Sequence, residues 1–156
     1  MQTSQPAIPC RVVIDTNIWL DMLVFDDPRT RRLATLLAAP IQVQPLASEE
    51  MRAELADVIA RPQFGLDAGR QSSLLARFDT TVLAAPSAPD CGLPCRDPDD
   101  RKFLDLAVGR RTSWLLSRDR ALLAARKVTW RRFGVRIGVV ADFYNWLDED
   151  PDGTGT

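Results

Sequence analysis

The sequence predicts an α/β fold, one domain built on a central, mainly parallel sheet of about five strands. Three observations lead there. A chain of 156 residues has the common size of a single domain with a single core. Short runs of β-branched and aliphatic residues recur along it, and helical patterns separate them, which is the alternation of βαβ units. The composition, 46% hydrophobic and 26% charged, is that of a globular chain rather than a disordered one.

The elements follow in order. Val12-Val13-Ile14 reads as the first buried strand. Asp27 and Pro28 read as N-cap and first residue of a helix with Leu33, Leu36 and Leu37 on one face, stopped by Pro40. Ile41-Gln42-Val43 is expected as the second strand. Ser48, with Glu49 and Glu50 in the first turn, opens a helix that runs to Arg61 and ends at Pro62, with Met51, Leu55 and Val58 as its apolar stripe. A third helix from about Ala68 to Asp79 supplies Leu74, Leu75 and Phe78, and Thr80-Thr81-Val82-Leu83 is expected as the next strand. The prolines between Pro86 and Pro98 mark a long loop, of a length that is often functional. Asp97 and Pro98 then start a helix that buries Phe103, Leu104, Ala107 and Val108. Trp114-Leu115-Leu116 and the run from Val135 to Val139 complete the strands, with shorter helices at Arg120 to Arg126 and Ala141 to Leu147. The domain is expected to span 1–147, and the acidic, Gly-containing stretch 148–156 to be a disordered tail.

Composition removes several chemistries. The chain has no His, so a Ser-His-Asp triad, a Cys-His pair, a phosphohistidine relay and a His-based zinc site are all excluded. Three cysteines, Cys10, Cys91 and Cys95, are too few for a structural zinc site or a disulfide framework. The longest stretch without charge, Leu33 to Ser48, is broken by Pro40, Gln42, Gln44 and Pro45 and falls short of a membrane span. Neither a basic nor an apolar signal segment precedes Arg11, so a cytoplasmic protein without membrane contact is expected.

Charge is segregated. The net charge of −1 conceals a run from Arg101 to Arg136 in which eleven basic residues accompany only Asp105 and Asp119. All but Lys102 and Lys127 are arginine, whose fork suits phosphate oxygens. A nucleic-acid partner and a solvated helix face are both compatible with this run.

In parallel α/β sheets, sites collect at the carboxyl ends of strands. Asp15 follows the first strand, and Asp119 follows the strand that ends at Leu116. Asp100 shares a helix face with Leu104 and Ala107, while Asp97 is better explained as a cap and Asp99 as a solvated first-turn acid. On the second helix Glu54 lies about 60° from Met51 on the helical wheel, nearer the apolar stripe than Glu50, Glu49 or Asp57. Singly, each acid reads as a cap or a surface charge. Converging at one edge, they would raise one another's pKa unless a cation compensates them, and hard oxygen ligands suit Mg²⁺ or Mn²⁺. Such an ion acidifies water without a histidine base and neutralises charge on a leaving oxygen.

These residues resemble the PIN-domain nucleases, and in particular the VapC-like toxins of bacterial toxin-antitoxin pairs. Val12-Val13-Ile14-Asp15-Thr16-Asn17 looks like the opening strand and Asp-Thr-Asn motif of that family, and Ser48 to Leu55 resembles the helix that brings its glutamate, at Glu54. The run from Arg96 to Ala107 is the most specific match and places the third acid on Asp100. Leu115-Leu116-Ser117-Arg118-Asp119 is similar to the Thr-x-Asp motif, with Ser in place of Thr and the hydroxyl retained, and gives Asp119 as the fourth. The resemblance implies a three-layer α/β/α fold and Mg²⁺- or Mn²⁺-dependent hydrolysis of single-stranded RNA. It implies Asp15, Glu54, Asp100 and Asp119 as catalytic metal-binding residues, supported by Asn17 and Ser117. It also implies a homodimer and a small antitoxin that blocks the site. Arg118 and Arg120, flanking Asp119, are the candidate substrate-binding residues.

Two rivals differ in chemistry. A haloacid-dehalogenase-like phosphatase would want a second aspartate where Asn17 stands, and a later lysine, for which Lys102 and Lys127 are the only choices. A PIN module that binds RNA or a protein partner without cutting, or that serves RNA processing, would keep the fold and not the toxin activity.

Overall fold

The computed structural model describes residues 9–39 and 42–149. Its centre is a sheet of five parallel strands in the order β3-β2-β1-β4-β5. They are β1 (Cys10–Ile14), β2 (Val43–Ala47), β3 (Leu83–Ala84), β4 (Trp114–Leu116) and β5 (Arg136–Gly138). Val12 and Val13 point to opposite faces of β1 and neither is exposed at all, so helices cover the sheet on both sides. The fold is the layered α/β architecture that the sequence predicts.

Eight α-helices are described: α1 (Thr16–Leu23), α2 (Arg31–Ala38), α3 (Glu49–Ile59), α4 (Ala68–Thr81), α5 (Arg101–Gly109), α6 (Arg120–Ala124), α7 (Arg126–Phe133) and α8 (Val140–Glu149). Several caps stand where the sequence puts them. Ser48 accepts from the Met51 amide at the start of α3. Asp27 and Asp97 each cap a 3-10 turn, Pro28–Thr30 and Pro98–Asp100, that leads into α2 and α5. Proline at the first position favours such a turn because it lacks the amide the turn would leave unpaired.

Other elements differ from expectation. No helix is expected between Asp15 and Asp27, yet α1 fills that interval and buries Ile18, Trp19, Leu20 and Met22. Thr80 and Thr81 close α4 instead of opening a strand, and β3 keeps only Leu83 and Ala84. The second strand sits further along than expected, at Val43–Ala47, while Ile41 lies outside the described residues. It includes Pro45, tolerated because β3 pairs with only Leu46 and Ala47 and leaves β2 an edge at Pro45. The expected helix from Arg120 to Arg126 is α6, which ends at Ala124, and a further helix that the sequence does not predict, α7, runs from Arg126 to Phe133. Helix α8 continues through Asp148 and Glu149, where Asp148 pairs with Arg32 at 2.6 Å, so the expected tail begins inside a helix. The rest of that tail lies outside the described residues.

The strand order reverses direction between β1 and β4. That is the topological switch point, where connections leave the sheet on opposite sides and open a crevice at the carboxyl ends. Among the described residues no helix is long and apolar enough to cross a membrane.

Candidate metal centre

Asp15 and Asp119 stand at that crevice, each as the N-cap of the helix that follows its strand. Asp15 caps α1, its Oδ1 accepting from the Asn17 amide at 3.2 Å. Asp119 caps α6, its Oδ1 accepting from the amides of Ala121 at 2.8 Å and Leu122 at 3.4 Å. Ser117, the residue after β4, joins them. Its hydroxyl donates to Asp15 Oδ2 at 2.6 Å and accepts from the Asp119 amide at 2.9 Å. Ser117 is fully buried and Asp15 nearly so, which fixes the carboxylate between two donors.

The remaining acids come from α3 and from the turn that leads into α5, the helix against which α3 packs. Asp100 ends the turn that Asp97 caps and is partly buried beside Asp119. Burial, then the facing Asp119 carboxyl, then the charges of Asp15 and Asp97 push the Asp100 pKa up to about 7. Its Oδ2 is buried and has no hydrogen-bond partner. Burial also raises the pKa of Asp15, against the lowering effect of its bonds from Ser117 and Asn17; Asp119 and Glu54 add to the rise.

Glu54 faces inward from α3, as the helical wheel indicates, but it meets a cation first. The ammonium of Lys102, from α5, lies 2.5 Å from Glu54 Oε2, with both side chains largely covered. The other acids of α3 take the bland roles expected of them: Glu50 accepts from Ser87 at 3.1 Å, and Asp57 pairs with Arg61 one turn on. Among the described residues the three potential ligands gathered within 4.8 Å are Asp90, Cys91 and Asp105, not three of the four predicted acids. Arg101 already bridges Asp90 and Asp105, so that cluster holds a guanidinium. Asp15, Asp100 and Asp119 thus share one crevice and act on one another's charge without offering three oxygens within 4.8 Å of one another, and Lys102 engages Glu54.

The supporting residues divide. Ser117 performs the bridging role, whereas Asn17 is exposed and contributes its backbone amide, its side chain making no hydrogen bond among the described residues. Arg118 is tied to Asp21 of α1 at 3.2 Å. Arg120 is exposed at the first position of α6. Lys102 and Asp21 are the participants that sequence reasoning passes over. Finding them requires knowing that α5 lies against α3 and that α1 exists.

The donor set fits a hard divalent cation. Carboxylate oxygens from three separate elements face one crevice, the pKa values of Asp15 and Asp100 are raised there, and a buried oxygen lacks a partner.

Residues 11–121 match the family model of the PIN domain. The chain belongs to the PIN-domain family. This PIN domain also shares its fold with a chain in the crystal structure of VapBC2 from Rickettsia felis bound to a DNA fragment from their promoter. The TM-score is 0.54 at 13% identity, over 81% of this chain and 96% of that one. No curated protein matches the chain.

Proposed function

We propose that this PIN domain is a metal-dependent endoribonuclease that hydrolyses phosphodiester bonds of single-stranded RNA. The observation that carries the reading is the partnerless Asp100 Oδ2, held at the switch point among Asp15 and Asp119. Acids crowded to that degree without compensation are costly, and membership of a family of nucleases gives them a task.

Asp15, Glu54, Asp100 and Asp119 would hold Mg²⁺ or Mn²⁺. When bound, such an ion supplies acidification of water and neutralisation of charge at the scissile phosphate. The chain does the positioning. Ser117 fixes the rotamer of Asp15, and its contact with the Asp119 amide ties the ends of β1 and β4 into one unit. Asp119 spends one oxygen on capping α6 and keeps the other for the crevice. Lys102, paired with Glu54 and donating to the Asp99 carbonyl, places one positive charge at the edge of the acidic crevice.

By the same reading the protein is the toxin of a toxin-antitoxin pair, acts in the cytoplasm and forms a homodimer. The fold likeness to a VapBC2 chain supports an antitoxin partner. Cleavage assays on labelled single-stranded RNA, single-stranded DNA and p-nitrophenyl phosphate test the substrate class. Cleavage of the RNA alone is expected; RNA binding without cleavage in Mn²⁺ would instead indicate a non-catalytic module.

A further inference from the structure

We propose that the exposed face of α7 is a binding surface for single-stranded RNA, with phosphates on its basic side chains and an unstacked base on the Trp130 indole. The choice of RNA as ligand rests on the ribonuclease reading above.

Packing does not explain α7. Of its eight residues only Thr129 is buried and Val128 is half-buried against the core; the other six are basic or aromatic and exposed. Arg126, Lys127, Arg131 and Arg132 are exposed and make no ion pair or hydrogen bond through their side chains among the described residues. Several arginines elsewhere are matched to carboxylates, as Arg32 is to Asp148, Arg52 to Asp79 and Arg118 to Asp21. Those without an ion pair among the described residues, such as Arg70, Arg77 and Arg96, are scattered rather than grouped on one short helix. The helix thus presents four exposed cations without an ion pair among the described residues, and it follows directly on α6, whose cap is Asp119.

Trp130 lies on the helix wheel between Arg126 and Lys127, 47% exposed, with Phe133 one turn on at 37%. The Arg136 guanidinium lies 4.1 Å from the centroid of the Trp130 ring and 5.5 Å from that of Trp146. It supports one face of the indole and leaves the ring a stiff, half-open platform. Exposed rings set among cations are how proteins hold unpaired bases, because every base has a stacking face and every nucleotide a phosphate. Arginine and aromatic side chains also suit a protein interface, and the self-association arm of the test below separates that outcome. The acids at the switch point repel RNA, so a cationic surface apart from them has a function that the site itself cannot supply.

Binding of fluorescein-labelled oligouridylate, followed by anisotropy in chelator, tests this with wild type, Trp130→Ala, Trp130→Phe and the double variant Arg131→Ala/Arg132→Ala. Trp130→Ala is expected to weaken binding roughly tenfold and Trp130→Phe less, as loss of one stacked base implies. The arginine double variant should lower the slope of log affinity against log salt by about 1.4, at about 0.7 per phosphate released. Duplex RNA should bind with no dependence on Trp130, having no free base to stack. Unchanged affinity and unchanged slope would overturn the proposal, and so would a loss of self-association in Trp130→Ala without loss of RNA binding. Failure of the two readings is distinguishable. Cleavage in Mn²⁺ with binding indifferent to these residues removes the α7 surface and leaves the nuclease; Trp130-dependent binding without cleavage does the reverse.

Discussion

The Ser117 hydroxyl donates to Asp15 Oδ2 at 2.6 Å while accepting from the Asp119 amide, so one buried side chain ties together the two acids at the switch point. Replacing Ser117 with Ala leaves a buried carboxylate oxygen and a buried amide unpaired. The expected cost is about 1–3 kcal/mol of stability, from denaturant unfolding. Loss of this support should also reduce Mn²⁺ affinity or activity about 10- to 100-fold. Wild-type behaviour in both would detach Ser117 from the site.

Asp100 makes the metal-free protein pH-sensitive. Burial and the facing Asp119 raise its folded pKa to about 7, above the unfolded value near 3.8. A raised carboxyl pKa means that the folded state binds the proton more tightly, so this stability is present below the unfolded value and is lost as pH rises through the folded one. The melting temperature of metal-free protein should therefore fall between about pH 4 and pH 7, and Asp100→Asn should flatten that fall while removing activity. An unaltered pH profile in the variant would show that Asp100 titrates normally.

The same proton competes with the cation. Mn²⁺ affinity in wild type, measured by calorimetry, should drop as pH is lowered from about 8 to 6, through the Asp100 pKa of about 7. Constant affinity over that range would separate Asp100 from the metal.

Lys102 is paired with Glu54 Oε2 and would compete with a cation for that oxygen. Lys102→Met should tighten Mn²⁺ binding several-fold, because no ammonium competes. Weaker binding would mean that Lys102 holds Glu54 in place rather than masking it.

Away from the site, Gly138 at the end of β5 is closely surrounded. A Cβ there would stand 2.8 Å from Asp142 Oδ2 and 2.9 Å from the Trp114 ring. Trp114 is packed edge-on against Phe143 and Trp146 and cannot yield freely. Gly138→Ala should cost about 1–3 kcal/mol in unfolding experiments, as overpacking does. A neutral change would mean that the ring has room to shift.

What could be read from the sequence depended on whether its signal was local. Val12-Val13-Ile14 and Trp114-Leu115-Leu116 are buried on both sides and carry an uninterrupted apolar run, so both strands stand where expected. Ser48, Asp27 and Asp97 are caps recognisable from their neighbours. Helix α1 escaped because Asp15 serves as its cap as well as a candidate ligand, and because Ile18, Trp19, Leu20 and Met22 follow the first strand without a clear helical stripe. Helix α7 escaped for the opposite reason: with only Thr129 buried it has no apolar face to detect. The acids Asp15, Asp100 and Asp119 were legible because strand ends and a helix face locate them. The Glu54–Lys102 and Asp21–Arg118 pairs were not, since each joins residues far apart in sequence through packing that no local pattern reveals.

The central claim is that the acids at the switch point support metal-dependent cleavage of RNA. Its most direct test is cleavage of a labelled single-stranded RNA by wild type and by Asp15→Asn, each with Mn²⁺ and with chelator, on samples shown to be folded. The account predicts cleavage by wild type in Mn²⁺ only and none by the variant. Equal cleavage by both proteins, or cleavage that persists in chelator, would contradict it.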